Sequence, residues 1–254
     1  MPLIKTQEEI QILREGGKRL SAILNEVGER AKPGVSAEEL NKLAIDLAKK
    51  YDSVPSFLDY KPEGSRSGYP AALCISVNDE VVHGLPNGKI FKEGDIVGLD
   101  FGLKYKRLYT DMAITVGIGE VDNKAKKLII TTKESLAKGI DAIHEGATVG
   151  NIGEAVQKYI ESRGFSIVRK LVGHGVGHAV HEFPEIPNYG SKGQGATLKE
   201  GMVLAIEPMV NEGGFDVVVS EDGWTWKTSD GSRSAHFEHT VVVTKEGVEI
   251  LTLL

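Results

Sequence analysis

The sequence lacks the features that mark secreted, membrane-bound and nucleic-acid-binding proteins. It has one cysteine, so it offers neither an internal disulfide nor a Cys-x-x-Cys pair for structural zinc. No apolar stretch approaches the roughly 18 residues that span a bilayer, and the acidic start lacks the apolar run of a signal peptide. With 30 basic and 36 acidic side chains, the net charge of −6 gives no general attraction for nucleic acid. These absences predict a cytoplasmic protein with no direct nucleic-acid readout and no membrane contact.

Glycine, by contrast, is in excess. Thirty of the 254 residues are glycine, whereas glycine makes up roughly 7% of an average protein. Such glycines occupy turns and places where two segments approach closely. The length and the 41% hydrophobic content suffice for a substantial core, arranged as one large domain or two small ones.

Helix signals alternate with strand signals along the chain. Thr6 with Glu9 and Ser36 with Glu39 form capping boxes, and apolar residues at helical spacing follow each box. The same spacing predicts two further helices at about 122–143 and 148–163. Strands are predicted at 73–77, 95–103, 108–116, 167–172, 202–210, 215–219, 235–244 and 248–253, and loops at 52–70 and 78–87.

An internal repeat accounts for this order of elements. Residues 93–100, EGDIVGLD, match residues 200–207, EGMVLAIE, at an offset of 107, and both octets end in a carboxylate. The segments that open the second and fourth helices also match, at an offset of 112. The sequence therefore predicts an α+β fold made of two α/β halves about a pseudo-twofold axis. The halves lie at about 1–120 and 121–254 of a single domain.

Four carboxylates fall among apolar residues. Asp100 and Asp111 lie in neighbouring predicted strands, and a hairpin that turns at 105–106 would place them directly opposite each other. Glu207 and Glu238 occupy the matching places in the second half. Solvated carboxylates at a sheet rim are the alternative, which the apolar neighbours disfavour. Because buried carboxylates must hold a proton or bind a cation, the four together indicate a site for more than one divalent metal ion.

Histidines supply the second part of this predicted site. Residues 173–181, GHGVGHAVH, contain three of the seven histidines. A neutral imidazole at His174 suits a borderline divalent ion such as cobalt, iron, manganese or zinc. Two such ions would supply an activated water near neutral pH, and a neighbouring glutamate would carry its proton. The expected reaction is hydrolysis of an amide.

These segments carry a resemblance to a known family. They are CISVNDEVVHG at 74–84, GDIV at 94–97 with Asp100 and Asp111, GHGVG at 173–177 with His181, IEP at 206–208 and EHT at 238–240. In this order they resemble the type I methionine aminopeptidases over nearly the whole chain. The resemblance implies a single catalytic domain, residues 1–254, with the pita-bread fold, in which helices cover a central curved antiparallel sheet.

The resemblance also implies how the ligands divide between two divalent ions. Asp100 would bind one ion, and Asp111 and Glu238 would bridge both. His174 and Glu207 would bind the other ion. Glu207 would in addition carry the proton during hydrolysis.

Two further groups of residues take roles by the same resemblance. His83 and His181 would contact the scissile amide and its intermediate. Tyr69, Cys74 and Trp224 would line the pocket for the methionine side chain, where a thioether packs well against an aromatic ring.

The resemblance also implies a site for a monovalent cation, and the sequence departs from the family pattern at two places. Asn78, Glu80 and Ser234 match residues around a sodium or potassium ion in the family. Val180 stands where the family commonly has phenylalanine, which would widen one wall of the pocket. The loop at 57–68 is longer and more charged than the family pattern. Both departures concern the details of methionine selectivity and not the metal chemistry.

The implied function is removal of the initiator methionine when the second residue is small. The expected substrates are the N termini of nascent polypeptides, met at the ribosome by a monomeric enzyme. The first alternative is an Xaa-Pro aminopeptidase or prolidase, whose members usually carry a domain ahead of this fold; the early first helix leaves no expected room for one. A non-catalytic pita-bread protein that binds partners is the second alternative.

Overall fold

The computed structural model describes residues 3–61 and 67–253, which form four helices and fifteen strands. The predicted loop residues 62–66 lie outside this described part. The helices are α1 (Gln7–Arg30), α2 (Ala37–Lys50), α3 (Asn123–Asp141) and α4 (Val149–Ser162). The strands are β1 (Val54–Pro55), β2 (Cys74–Val77), β3 (Glu80–Val82), β4 (Ile96–Tyr105), β5 (Leu108–Gly117), β6 (Ser166–Ile167), β7 (Gly173–Gly175), β8 (Glu182–Ile186), β9 (Val203–Ile206), β10 (Met209–Asn211), β11 (Val217–Val219), β12 (Trp226–Thr228), β13 (Ser234–His236), β14 (Glu238–Thr244) and β15 (Gly247–Ile250).

The predicted starts of the first two helices are confirmed. The Thr6 hydroxyl accepts a hydrogen bond from the Glu9 amide, and the Glu9 side chain accepts one from the Thr6 amide. Ser36 and Glu39 form the same reciprocal pair at the start of α2. Each box satisfies two amide donors that the first helical turn cannot pair internally.

The largest sheet has nine antiparallel strands and joins the two halves of the sequence. Its order is β1-β4-β5-β14-β9-β7-β8, with β2 beside β4 and β15 beside β14. Two smaller sheets, β13-β10-β6 and β11-β12-β3, contain the remaining strands of the described residues. Since β5 belongs to the first half and β14 to the second, the halves meet between these two strands.

Helices cover one face of this sheet and leave the other for the site. Leu99, Phe101 and Leu103 of β4 pack in one hydrophobic cluster with Leu24 of α1. A second cluster joins α3 and α4 to β9 and β14. Because side chains alternate along a strand, Asp100 faces away from the helices.

The two halves repeat the same connections in detail. Ser36 forms an isolated bridge with Ile90, and Thr148 forms one with Thr197. These pairs are related by the offsets of 112 and 107 found in the sequence. The glycine two residues before each helix-opening residue has a positive φ, 86° in the first half and 84° in the second. These matched contacts support a duplication, which we propose as the origin of the fold.

Some predicted strands are wrong in extent. The strand predicted at 202–210 breaks between Ile206 and Met209 because Pro208 has no amide hydrogen for a ladder. The strand predicted at 235–244 breaks at Phe237. At each break the backbone crosses between sheets: β9 and β14 belong to the large sheet, whereas β10 and β13 belong to the β13-β10-β6 sheet. The loop predicted at 78–87 contains β3, the loop predicted at 52–70 contains β1, and β7, β8 and β12 lie where no strand was predicted.

The predicted register of the β4–β5 hairpin is also wrong, by two residues. The hairpin turns at Lys106 and Arg107, so Asp100 pairs with Ala113 and Gly102 pairs with Asp111. Lys106 has a φ of 52°, a conformation that an Asn-Gly turn signal would have revealed and a lysine does not. A shift of two residues keeps each side chain on its original face, so Asp100 and Asp111 remain on the same face as diagonal neighbours.

Candidate active site

Three buried side chains from three strands meet at the centre of the large sheet. Asp111 of β5, His174 of β7 and Glu238 of β14 each present one ligand atom, and these atoms lie within 4.8 Å of one another. Asp111 comes from the first half of the chain and the other two from the second. The seam between β5 and β14 thus places donors from both halves around one point.

Asp100 and Glu207 complete the predicted set of five. Asp100 lies close enough to Asp111 for its charge to raise the pKa of the Asp111 carboxyl group. Glu207 Oε1 lies 3.4 Å from His174 Nε2. Glu207 stands at the break between β9 and β10, and Glu238 begins β14 directly after the break that follows β13. The strand breaks therefore aim both glutamates into the site.

The electrostatics of this cluster favour a bound cation. Burial raises the pKa of Asp100 to about 7, and it raises the pKa values of Asp111, Glu207 and Glu238 well above their usual range. Burial also lowers the pKa of His174 to about 3, which keeps its imidazole neutral and able to donate a lone pair. Asp100 Oδ1 and Glu238 Oε1 are buried without a hydrogen-bond partner. Four carboxyl groups, one neutral imidazole and unpartnered oxygens fit one or more divalent ions.

His83 and His181 lie beside the cluster. The His181 ring packs edge-on against the His174 ring with 4.4 Å between centroids, and its Nδ1 lies 2.8 Å from the Tyr60 hydroxyl. His83 follows the end of β3 with a φ of 57°, a left-handed conformation, and its side chain lines the same cavity as His181. Burial, reinforced by the nearby His181, lowers the pKa of His83 to about 4.

A cavity of about 1160 Å³ opens onto these residues. On one side its wall contains Tyr69 and Trp224, whose rings meet edge to face with centroids 5.3 Å apart. The Tyr69 hydroxyl donates a hydrogen bond to the Gly84 carbonyl, which holds the ring in place. Cys74 belongs to the same buried cluster as Tyr69 and Val180, and burial raises the pKa of its thiol. The three residues predicted to line the methionine pocket are thus neighbours.

The residues predicted around a monovalent cation are brought together in part. The Ser234 amide donates to the Asn78 carbonyl at 2.8 Å. The Glu80 side chain is engaged elsewhere, since it accepts from Lys89 Nζ at 2.5 Å and from the Val77 amide at 2.9 Å.

Sequence reasoning missed one residue of the site, His236. It is buried, its Nε2 has no hydrogen-bond partner, and that atom lies 3.7 Å from Glu207 Oε2. Its position two residues before Glu238 offers a signal, because alternate strand residues share a face. The break at Phe237 weakens that signal, so the pattern alone did not reveal the residue.

Comparison with known proteins agrees with this geometry. The sequence model of the family described as metallopeptidase family M24 matches residues 11–245. The chain belongs to metallopeptidase family M24. Among M24 relatives, the methionine aminopeptidase of Clostridium perfringens is 44% identical over 254 residues, covering 100% of both chains. The solved methionine aminopeptidase of Thermotoga maritima is 48% identical and covers 100% of both chains, with a TM-score of 0.95.

These M24 comparisons confirm the resemblance and the pita-bread fold predicted from the sequence. They also confirm that the chain is a metallopeptidase with a group of residues suited to metal. An Xaa-Pro dipeptidase from Bacillus anthracis is more distant, at 25% identity and a TM-score of 0.78, and the match covers 99% of this chain and 62% of that one. No helix within the described ranges is both long and apolar enough to cross a membrane.

Proposed function

We propose that this M24 metallopeptidase removes the N-terminal methionine from proteins whose second residue is small. The observation that carries the proposal is one cavity that joins the five ligand side chains to the wall containing Tyr69, Cys74 and Trp224. Similarity to methionine aminopeptidases along the whole chain supports it.

The proposed cofactor is a pair of divalent ions, chosen from cobalt, manganese, iron and zinc. Asp100, together with Asp111 and Glu238, would hold one ion. His174 and Glu207, with the same Asp111 and Glu238, would hold the other. When bound, such ions supply an activated water and polarise the scissile carbonyl.

The chain's own residues move the proton and orient the substrate. Glu207 is the proposed proton carrier, taking a proton from water and delivering it to the leaving amine nitrogen. His83 and His181 donate hydrogen bonds to the amide oxygen and to the tetrahedral intermediate, where charge develops. Their rings lie on the cavity side of the ligand cluster, in keeping with that role.

The methionine side chain is proposed to lie against Tyr69, Cys74 and Trp224. A thioether gains from contact with an aromatic ring edge, and the T-shaped pair offers one. The raised pKa of Cys74 keeps its thiol neutral, so the wall carries no charge that would repel an apolar side chain. Val180 packs in the cluster behind Tyr69 and Cys74, and its small side chain there would leave these two residues room to shift and widen the pocket.

The setting of the reaction is also a proposal. A sodium or potassium ion near the backbones of Asn78, Glu80 and Ser234 would brace the β2–β3 turn. We propose a monomer that acts in the cytoplasm on nascent chains at the ribosome, with residues 1–254 as a single catalytic domain.

Release of methionine from short peptides tests the proposal. The purified chain with added manganese or cobalt is incubated with Met-Ala-Ser, Met-Lys-Ser and Ala-Pro, and the free amino acids are quantified. We expect cleavage of Met-Ala-Ser alone, since a small second residue is required beside the ligand cluster. Cleavage of Ala-Pro alone would favour an Xaa-Pro peptidase. No turnover and no bound divalent ion would favour a non-catalytic protein.

A further inference from the structure

A buried ion pair ties the N-terminal segment to the loop that carries His181. The Lys5 side chain is 1% exposed, and its Nζ lies 2.5 Å from Glu182 Oε2, where the glutamate side chain is 9% exposed. A buried lysine ammonium needs such a partner, because an unpaired charge in the protein interior is strongly unfavourable. The chain separation of 177 residues makes this a purely tertiary contact.

The second carboxylate oxygen of Glu182 closes the loop itself. Its Oε1 accepts hydrogen bonds from the backbone amides of His178, at 2.5 Å, and Ala179, at 2.8 Å. One side chain thus fixes both ends of residues 178–182 and bears the charge that Lys5 neutralises. Charge-assisted hydrogen bonds of this kind are among the stronger ones in proteins.

Further contacts around Lys5 stabilise this position of its side chain. Its amide donates to the Gly201 carbonyl at 2.8 Å. Gly177 has a φ of 140°, and a Cβ at that position would lie 2.5 Å from Lys5 Cε. The glycine therefore leaves the space through which the lysine stem passes. A second link joins the same loop to α1, since His178 Nε2 lies 2.8 Å from Glu9 Oε1.

His181 itself has few other anchors. Its side chain faces the cavity and contacts Tyr60 and the His174 ring. Since Glu182 is the next residue along the chain, the bonds of Glu182 also fix the backbone of His181. We propose that Lys5, acting through Glu182, is a positioning residue that holds His181 in place for the reaction. This inference rests on the proposed function, because it gives His181 the task of contacting the scissile amide.

The test compares two variants that each break one ion pair of the N-terminal region. Lys5→Met keeps the unbranched apolar stem of the side chain and removes its terminal ammonium group. Arg14→Met is the matched control: Arg14 Nε lies 2.6 Å from Glu249 Oε1, joining α1 to β15 without touching the loop. Both variants lose some stability, which urea unfolding measures. Only Lys5→Met is expected to lose catalytic rate in the folded protein.

Misplacement of a reacting group by about 1 Å can cost about 100-fold in rate. At saturating manganese, we expect kcat of Lys5→Met for Met-Ala-Ser to fall by about 10- to 100-fold, with KM within about twofold of the parent. Manganese affinity, measured by calorimetry, should stay within about threefold, because Lys5 contacts none of the five ligands. A double variant, Lys5→Met with Glu182→Gln, should fall no further than Lys5→Met alone, since the two residues act as one unit.

Several outcomes would overturn the inference. Lys5→Met with a kcat close to the parent would do so, as would an equal fall in Arg14→Met or a large loss of manganese affinity. Should Lys5→Met fail to fold, Glu182→Gln with the same readouts takes its place. If the parent releases no methionine, the proposed function fails, and the NMR signals of the His181 ring in 15N-labelled protein then test the positioning role. A shift of these signals in Lys5→Met would support that role, and unchanged signals would refute it.

Discussion

The buried acid cluster should lower the free energy of unfolding of the metal-free protein as the pH rises. Burial raises the pKa of Asp100 from 3.8 to about 7. The folded chain therefore retains a proton that the unfolded chain releases. By linkage, the stability that this group contributes is fully present below its unfolded pKa and is lost as the pH rises through the folded value. Replacing Asp100 with asparagine removes this loss, because the amide is neutral at every pH.

The size of the effect follows from the shift. One pKa unit corresponds to about 1.4 kcal/mol, so the full rise at Asp100 corresponds to about 4 kcal/mol at pH 8. At pH 5 the loss of stability is smaller, about 2 kcal/mol, because this pH lies only about one unit above the pKa of the carboxyl group in the unfolded chain. The buried histidines titrate in the opposite direction in both proteins. The charge of Asp100 also raises the pKa values of Asp111, Glu207 and Glu238, so its removal favours their ionised forms and acts in the same direction as the loss of Asp100 itself.

Urea unfolding of metal-free protein at pH 5 and pH 8 measures this difference. We expect Asp100→Asn to be more stable than the parent at both values, and more so at pH 8. Excess manganese should reverse the order, because only the parent gains the full free energy of metal binding. Asp46→Asn, on the exposed face of α2, is the control and should change stability by less than about 0.5 kcal/mol. A metal-free Asp100→Asn that is less stable than the parent at pH 8 would refute the reasoning.

Three more predictions follow from the site. Asp111→Ala and Glu207→Ala should each abolish methionine release from Met-Ala-Ser, and retained turnover in either would contradict the ligand assignment. Manganese binding near pH 6 should release protons, because the raised pKa values leave the carboxyl groups protonated beforehand; calorimetric heats that are equal in buffers of different ionisation enthalpy would disprove it. Val180→Phe should narrow the pocket and raise KM for Met-Ala-Ser about 3- to 10-fold while leaving kcat nearly unchanged, and an unaltered KM would show that this wall does not contact methionine.

The proposed carboxylate ligands could be inferred from the sequence because carboxylates in apolar strands are rare. Asp100 interrupts an apolar run, and Glu207 interrupts its repeat, so the burial of both carboxyl groups could be inferred from the sequence. The helix starts were accessible for a similar reason, since a capping box is a local signal that involves four consecutive residues. In each case the information lies within one segment or in its repeated copy.

What could not be predicted depends on contacts between distant segments. The β4–β5 register was wrong by two residues because no turn residue marks Lys106. Lys5 looked like an ordinary charged residue at the start of the chain, and its partner lies 177 residues away. The side of the sheet on which His236 lies could be assigned only once the strand break at Phe237 was known. Tertiary packing decides all three, and local pattern does not encode it.

The proposed duplication explains why one site needs the whole chain. Each half supplies a strand pair with carboxylates, Asp100 and Asp111 from the first, Glu207 and Glu238 from the second. The pairs meet where the Asp111 amide donates to the Thr240 hydroxyl at 2.8 Å, across the seam between β5 and β14. A separate half would expose the unpaired edge of β5 or β14 and would hold at most part of the ligand set. His174 and the loop of residues 178–182 belong to the second half. Under the proposed duplication, the two copies would therefore differ in chemistry while sharing their backbone connections.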